Sequence, residues 1–180
     1  MRADAARNLD AVLQTGARLL AEDPGVSVAA IAAAAGVDRR TVYRQFPNRD
    51  ALLDAVFEAK LDALDDVIAQ GRLTEAPVGV ALHRLVEGAV EVARRYPVEQ
   101  EQMRCSMKGS SRYLAQRQEI DTFLRRAADD GLIRADLPDG MASLLLHDIV
   151  DLVAHQYPQR DCGRAADLAV DVLLGGIGRG

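Results

Sequence analysis

Tryptophan is absent from this 180-residue chain, and three phenylalanines and four tyrosines are its whole aromatic content. Two cysteines, Cys105 and Cys162, show no metal-ligand spacing and are expected to be reduced thiols. No apolar run approaches the roughly 20 residues needed to cross a bilayer. The opening MRADAARNLD lacks the apolar core of a secretory signal. A cytoplasmic location with no membrane partner is therefore expected. Strictly alternating β-branched runs are missing, which argues against a sheet-built core. Also missing are a phosphate-cradling glycine loop, a nucleophile elbow and a paired-cysteine metal motif. Neither an enzyme nor a bound cofactor is expected.

What the chain does have is alanine, leucine and unevenly placed charge. Hydrophobic residues make up 49% and charged residues 27%, a globular balance. Aliphatic side chains recur at helical spacing, so the predicted class is all-α. The net charge is −5. Residues 1–50 hold seven arginines against six acids, a net of +1; residues 51–180 hold fifteen basic against twenty-one acidic residues, a net of −6. Within Asp38–Arg49, four arginines stand against one aspartate. Such a distribution argues against a general nucleic-acid coat but suits a local reader on an acidic body.

That basic stretch lies inside VSVAAIAAAAGVDRRTVYRQFPNRDALL, residues 26–53. Ser27 is a cap for a short helix with Ile31 and Ala35 on its apolar side. Gly36 supplies a sharp helix end, and Asp38 caps a second helix, DRRTVYRQF, with Val42 and Phe46 inward. Its other side shows Arg39, Arg40, Thr41, Tyr43, Arg44 and Gln45. This spacing predicts a helix-turn-helix whose second helix suits a DNA major groove. Arg39, Arg40 and Gln45 are candidates for base edges, with Arg44 beside them. Ser27, Thr41, Tyr43 and Arg49 suit phosphates.

The spacing of Ile31, Ala35, Gly36, Val37, Thr41, Tyr43, Phe46, Pro47 and Leu52 resembles the amino-terminal domain of the TetR (tetracycline-repressor-like) transcriptional regulators. The resemblance is dense over about the first third of the chain. Arg49 stands where the family usually has lysine, and Asp38 where serine or threonine is common; both keep the chemistry. The resemblance implies a three-helix DNA-binding domain, placed at 1–50, and a helical effector-binding and dimerisation domain at 51–180. It also implies a homodimeric, ligand-responsive repressor on a palindromic double-stranded operator, released by a small-molecule effector.

Along the rest of the chain, the first helix is expected over about Ala5–Ala21, with Leu9, Leu13, Ala17 and Leu20 inward. Asn48 opens a longer helix that reaches Gly71, and GRLTEAP breaks the chain before Pro77 opens another. Further helices are expected to Tyr96, from Ser110 or Ser111 to Gly131, and onward from Asp136–Pro138. MASLLLHDIVDLVAHQY and GRAADLAVDVLLGGI are apolar over arcs too wide for one buried face, which points to a homodimer through these two helices. Phe57, His83, Met103, Met107, Tyr113, Phe123, His147 and Asp151 are candidates for the effector pocket, and few aromatics suggest a modest apolar or amphipathic ligand. Two rival readings stand beside this one: a helical metal-dependent hydrolase using His147 and Asp148, and a constitutive DNA-binding dimer with no effector.

Overall fold

The computed structural model describes residues 2–98 and 111–178, with side chains from residue 7 onward. Among these residues there are eight helices and no strand. In chain order they are α1 (Arg2–Glu22), α2 (Val28–Ala34), α3 (Arg39–Gln45), α4 (Arg49–Gly71), α5 (Val78–Arg95), α6 (Ser111–Asp129), α7 (Met141–Gln156) and α8 (Cys162–Ile177). The chain divides into two compact units, residues 1–61 with 95–108 and residues 62–94 with 109–180. The boundary falls within α4, one uninterrupted helix.

The core of the first unit collects Val12 and Leu20 from α1, Val28, Ile31 and Ala32 from α2, Val42 from α3, and Phe46 and Leu52. The expected face of α1 is turned slightly from the one observed. Val12 is buried, whereas Leu9 is 39% exposed, because the face directed at Ile31 and Val42 is centred on the line from Val12 to Leu20. Phe57 and Leu61 are fully buried in the same unit. Lys60 is buried too, and its Nζ donates to the Val98 carbonyl at 3.0 Å.

In the second unit, α5 supplies the centre of the core with Ala81, Leu82, Leu85, Val86 and Val90; Phe123, Leu124, Val150, Val153, Ala169 and Leu173 close over them. Arg94 ties the α7–α8 connection to α5. Its Nη1 donates to the Arg160 carbonyl at 2.8 Å and its Nη2 to the Tyr157 carbonyl at 3.0 Å. On α6 the apolar Leu114 is 56% exposed. Gln116 is buried instead, and its amide donates to Asp65 on α4. Arg112 donates to Asp65 and also to Asp62. Burial pushes the Asp65 carboxyl up, but the bonds from Gln116 and Arg112 and the arginine's charge outweigh it and hold the pKa below its ordinary value.

The last connection also departs from expectation. α7 does not begin at Asp136–Pro138; it starts after Gly140 without a side-chain cap. Arg134 holds the Asp136 carboxylate, Nε to Oδ1 at 2.6 Å, and draws its pKa down to about 2.

At Gly88 α5 passes close to Val67 of α4. A Cβ there would stand 2.7 Å from both γ-carbons of Val67. Valine is stiff at χ1 in a helix, so the helices themselves would have to part. Gly88→Ala is expected to destabilise the second unit even though alanine favours helix by about 1 kcal/mol, since overpacking costs about 1–3 kcal/mol. Adding Val67→Ala should recover the loss. Thermal melts of the single and double variants check this coupling.

Candidate nucleic-acid interface

Local chemistry builds the reading element residue by residue. The Ser27 hydroxyl accepts from the Ala30 N–H at 3.1 Å, fixing the start of α2. That cap stabilises the helix by about 1 kcal/mol. At the other end Gly36 adopts φ 68°, and two bonds close the turn: Gly36 N–H to the Ala33 carbonyl at 3.2 Å and Val37 N–H to the Ala32 carbonyl at 3.1 Å. This is a Schellman ending, in which a left-handed residue reverses the chain and returns a hydrophobic side chain, here Val37, to the core. A side chain at Gly36 would have open space but a strained backbone.

Asp38 then starts α3. Its Oδ1 accepts from the N–H groups of Arg40 at 2.9 Å and Thr41 at 3.2 Å. With Val42 buried beneath, Arg39, Arg40, Arg44 and Gln45 are exposed and Thr41 and Tyr43 half-buried. Among the described residues, none of the three arginines on α3 is in an ion pair with an acid, so their charge is available to a ligand. The Arg39 guanidinium lies over the Tyr43 ring, 5.1 Å from its centroid.

Asn48 caps α4, its Oδ1 accepting from the Ala51 N–H at 2.8 Å. Arg49 opens that helix with a buried Nε that has no hydrogen-bond partner among the described residues, and its Nη1 lies 3.6 Å from Asp50. A buried unpaired donor costs about 1–3 kcal/mol. An anion at this helix start, such as a phosphate, would accept from it and be favoured by the helix dipole. Arg49→Ala is expected to weaken binding to all DNA sequences alike and to reduce the salt slope by about one. Titrations on two unrelated duplexes at several salt concentrations check it.

Seven of the eight candidate DNA-facing residues thus lie in or beside α2 and α3, and the eighth, Arg49, opens α4. Ser27 is used locally as a cap. Six of the eight candidates for an effector pocket are among the described residues. Met103 and Met107 lie outside the described residues. Phe57 is in the interior of the first unit. In the second unit His83 is bonded to Asp167 at 2.8 Å on the surface, Phe123 is in the core, and Tyr113 and His147 are half-buried. Asp151 is exposed; its carbonyl accepts from Nδ1 of His155 at 2.9 Å. Among the described residues no three His, Cys, Asp or Glu side chains are grouped to hold a metal ion.

Periodicity alone did not reveal a largely apolar cleft of about 330 Å³ in the second unit, lined by Leu73, Ala115, Thr122, Phe123 and Arg126. It arises where the turn after α4 meets α6. Arg126 anchors that turn by donating to the carbonyls of Leu73 at 2.7 Å and Ala76 at 2.8 Å. No helix among the described residues is long and apolar enough to cross a membrane.

Residues 12–56 match the family model described as bacterial regulatory proteins, tetR family. No curated protein sequence matches the chain. Solved structures similar over nearly the whole chain include the TetR-like regulator LfrR of Mycobacterium smegmatis in complex with proflavine, at 24% identity and TM-score 0.75, covering 96% of this chain and 97% of that one. The ketosteroid transcriptional regulator KstR2 of Mycobacterium tuberculosis is 20% identical with TM-score 0.73, covering 94% of each chain. The fatty acid degradation regulator FadR of Bacillus halodurans is 19% identical with TM-score 0.70, covering 94% of this chain and 95% of that one. The first unit's helix-turn-helix is therefore similar to the tetR family of bacterial regulatory proteins over residues 12–56, and the chain as a whole shares the fold of these solved TetR-like structures.

Proposed function

We propose that this protein is a homodimeric, ligand-responsive transcriptional repressor that acts in the cytoplasm. Residues 1–50 read an inverted-repeat operator, and residues 51–180 bind the effector and form the dimer. The observation that carries the reading is α3 itself: a capped helix, anchored by buried Val42, with three exposed arginines that have no acidic partner among the described residues. Each subunit places this helix in a major groove, and a two-fold pair reads two half-sites.

Exposed side chains on α7 and α8 support pairing through these helices. Val150, Val153, Ala169 and Leu173 face the core, yet Leu144, Leu152 and Val172 are 44%, 53% and 47% exposed. Helices that already bury one face and still display aliphatic residues on another suit a four-helix interface with a second copy. The apolar cleft beside Phe123 and the proflavine complex of LfrR support a small-molecule effector. Release requires that the effector prefer a state with wrongly spaced reading heads, by about 5.5 kcal/mol for a near-complete switch.

A gel-shift titration of the purified protein on its own upstream DNA tests the reading. A sequence-selective complex is expected. Its affinity should fall about 100-fold between 50 and 200 mM salt if four arginines of the dimer meet phosphates. Absence of any selective, salt-sensitive complex would overturn the proposal.

A further inference from the structure

We propose that Tyr43 is a positioning residue for Arg39 and makes that arginine the guanine-reading side chain of α3. The inference rests on the DNA-reading function proposed above and deepens it. Of the three arginines on this helix, Arg39 is the one seated on an aromatic ring, its guanidinium carbon 5.1 Å from the Tyr43 centroid. The two residues are one helical turn apart, and side chains on a helix lean toward its start, which carries the ring back toward Arg39.

The ring is itself held. Tyr43 is half-buried and packs against the first unit's core cluster, which contains Val42 and Phe46. Asp38, the adjacent acid in sequence, forms no ion pair with Arg39 among the described residues; its Oδ1 accepts from the Arg40 and Thr41 N–H groups. The core therefore orients the ring, and the ring orients the plane of the guanidinium. That plane matters because arginine distinguishes guanine by two parallel bonds to O6 and N7, which a freely turning fork makes poorly. Among the described residues Arg40 and Arg44 have no ring beneath them, and they act chiefly as positive charge. The hydroxyl of Tyr43 stays available to a phosphate, so its ring and its oxygen have separable roles.

The test compares binding to a selected operator half-site with binding to the same site after its arginine-read guanine is replaced. Wild-type protein is expected to prefer guanine by roughly 5- to 150-fold, and Arg39→Ala to remove that preference. Tyr43→Phe, which keeps the ring, should weaken both sites equally and leave the ratio intact. Tyr43→Leu, which fills the same apolar space without a platform, should lower the ratio by roughly 2- to 5-fold. The ratio is read on protein that binds, so partial unfolding does not alter it. If the leucine variant does not fold, Arg39→Lys replaces it, keeping the charge and losing the fork, and should lose the preference. A full guanine preference in Tyr43→Leu or Arg39→Lys would overturn the proposal. So would an equal loss of preference in Tyr43→Phe and Tyr43→Leu, which would assign the effect to the hydroxyl. Wild-type protein that binds without sequence preference would instead overturn the underlying functional reading, and this inference with it.

Discussion

Val42→Asp is expected to abolish DNA binding while leaving the second unit folded. Val42 is 2% exposed and is the fully buried residue of α3. It fixes which side of that helix faces the core and which faces DNA. A carboxylate in its place loses the valine's contacts and adds an uncompensated buried charge, a penalty of several kcal/mol, about the whole stability of a small unit. The core of the second unit shares none of these residues. Gel shifts should show no complex at roughly 100 times the wild-type dissociation constant, a loss of about 2.7 kcal/mol. Calorimetry should retain a cooperative transition from the second unit. Binding within twofold of wild type would show that α3 does not depend on this anchor.

Phe57→Ala is the second large effect, and it separates packing from ligand binding at one position. Phe57 is 0% exposed in the first unit. Truncation of such a ring costs about 3–5 kcal/mol in lost transfer energy and cavity formation. For a unit of this size that corresponds to a drop of about 15 °C or more in melting temperature. A residue whose main role is to touch an effector would change the ligand response with little effect on the ligand-free melt. The expected result is a large fall in the melt of the first unit and a matching loss of DNA binding.

How much of this was legible in the sequence depends on the range over which each signal acts. The helix-turn-helix was readable nearly to the residue because its punctuation is local. Ser27, Gly36, Asp38 and Asn48 each act on backbone groups within three residues, and each does in the structure what its type and position predict. The wide apolar arcs of α7 and α8 were likewise visible, since helical periodicity shows how much of a helix is oily.

Features set by partners distant in sequence were less legible. Apolar type does not bury Leu114, whereas Gln116 is buried and donates to Asp65, some fifty positions away. A helix was expected onward from Asp136–Pro138, but the Asp136 carboxylate is held by Arg134 and α7 begins after Gly140. The candidate pocket residues were chosen by type, and residue type does not say which side chains the tertiary packing gathers. His83, for example, is taken up by Asp167, eighty-four positions along the chain. The Arg39–Tyr43 stack falls between these cases. Its spacing of one turn was visible, but the anchoring of the ring in the core was not.

Selection of bound sequences from a random DNA pool by the full-length protein tests the central claim most directly. Enrichment of two half-sites as an inverted repeat is predicted, their centres one helical turn apart, about 10–10.5 base pairs, or a multiple of it. Each half-site should contain a guanine whose enrichment vanishes in Arg39→Ala. A pool that returns no enriched motif, or a single half-site with no two-fold partner, would contradict a dimeric reader built on α3.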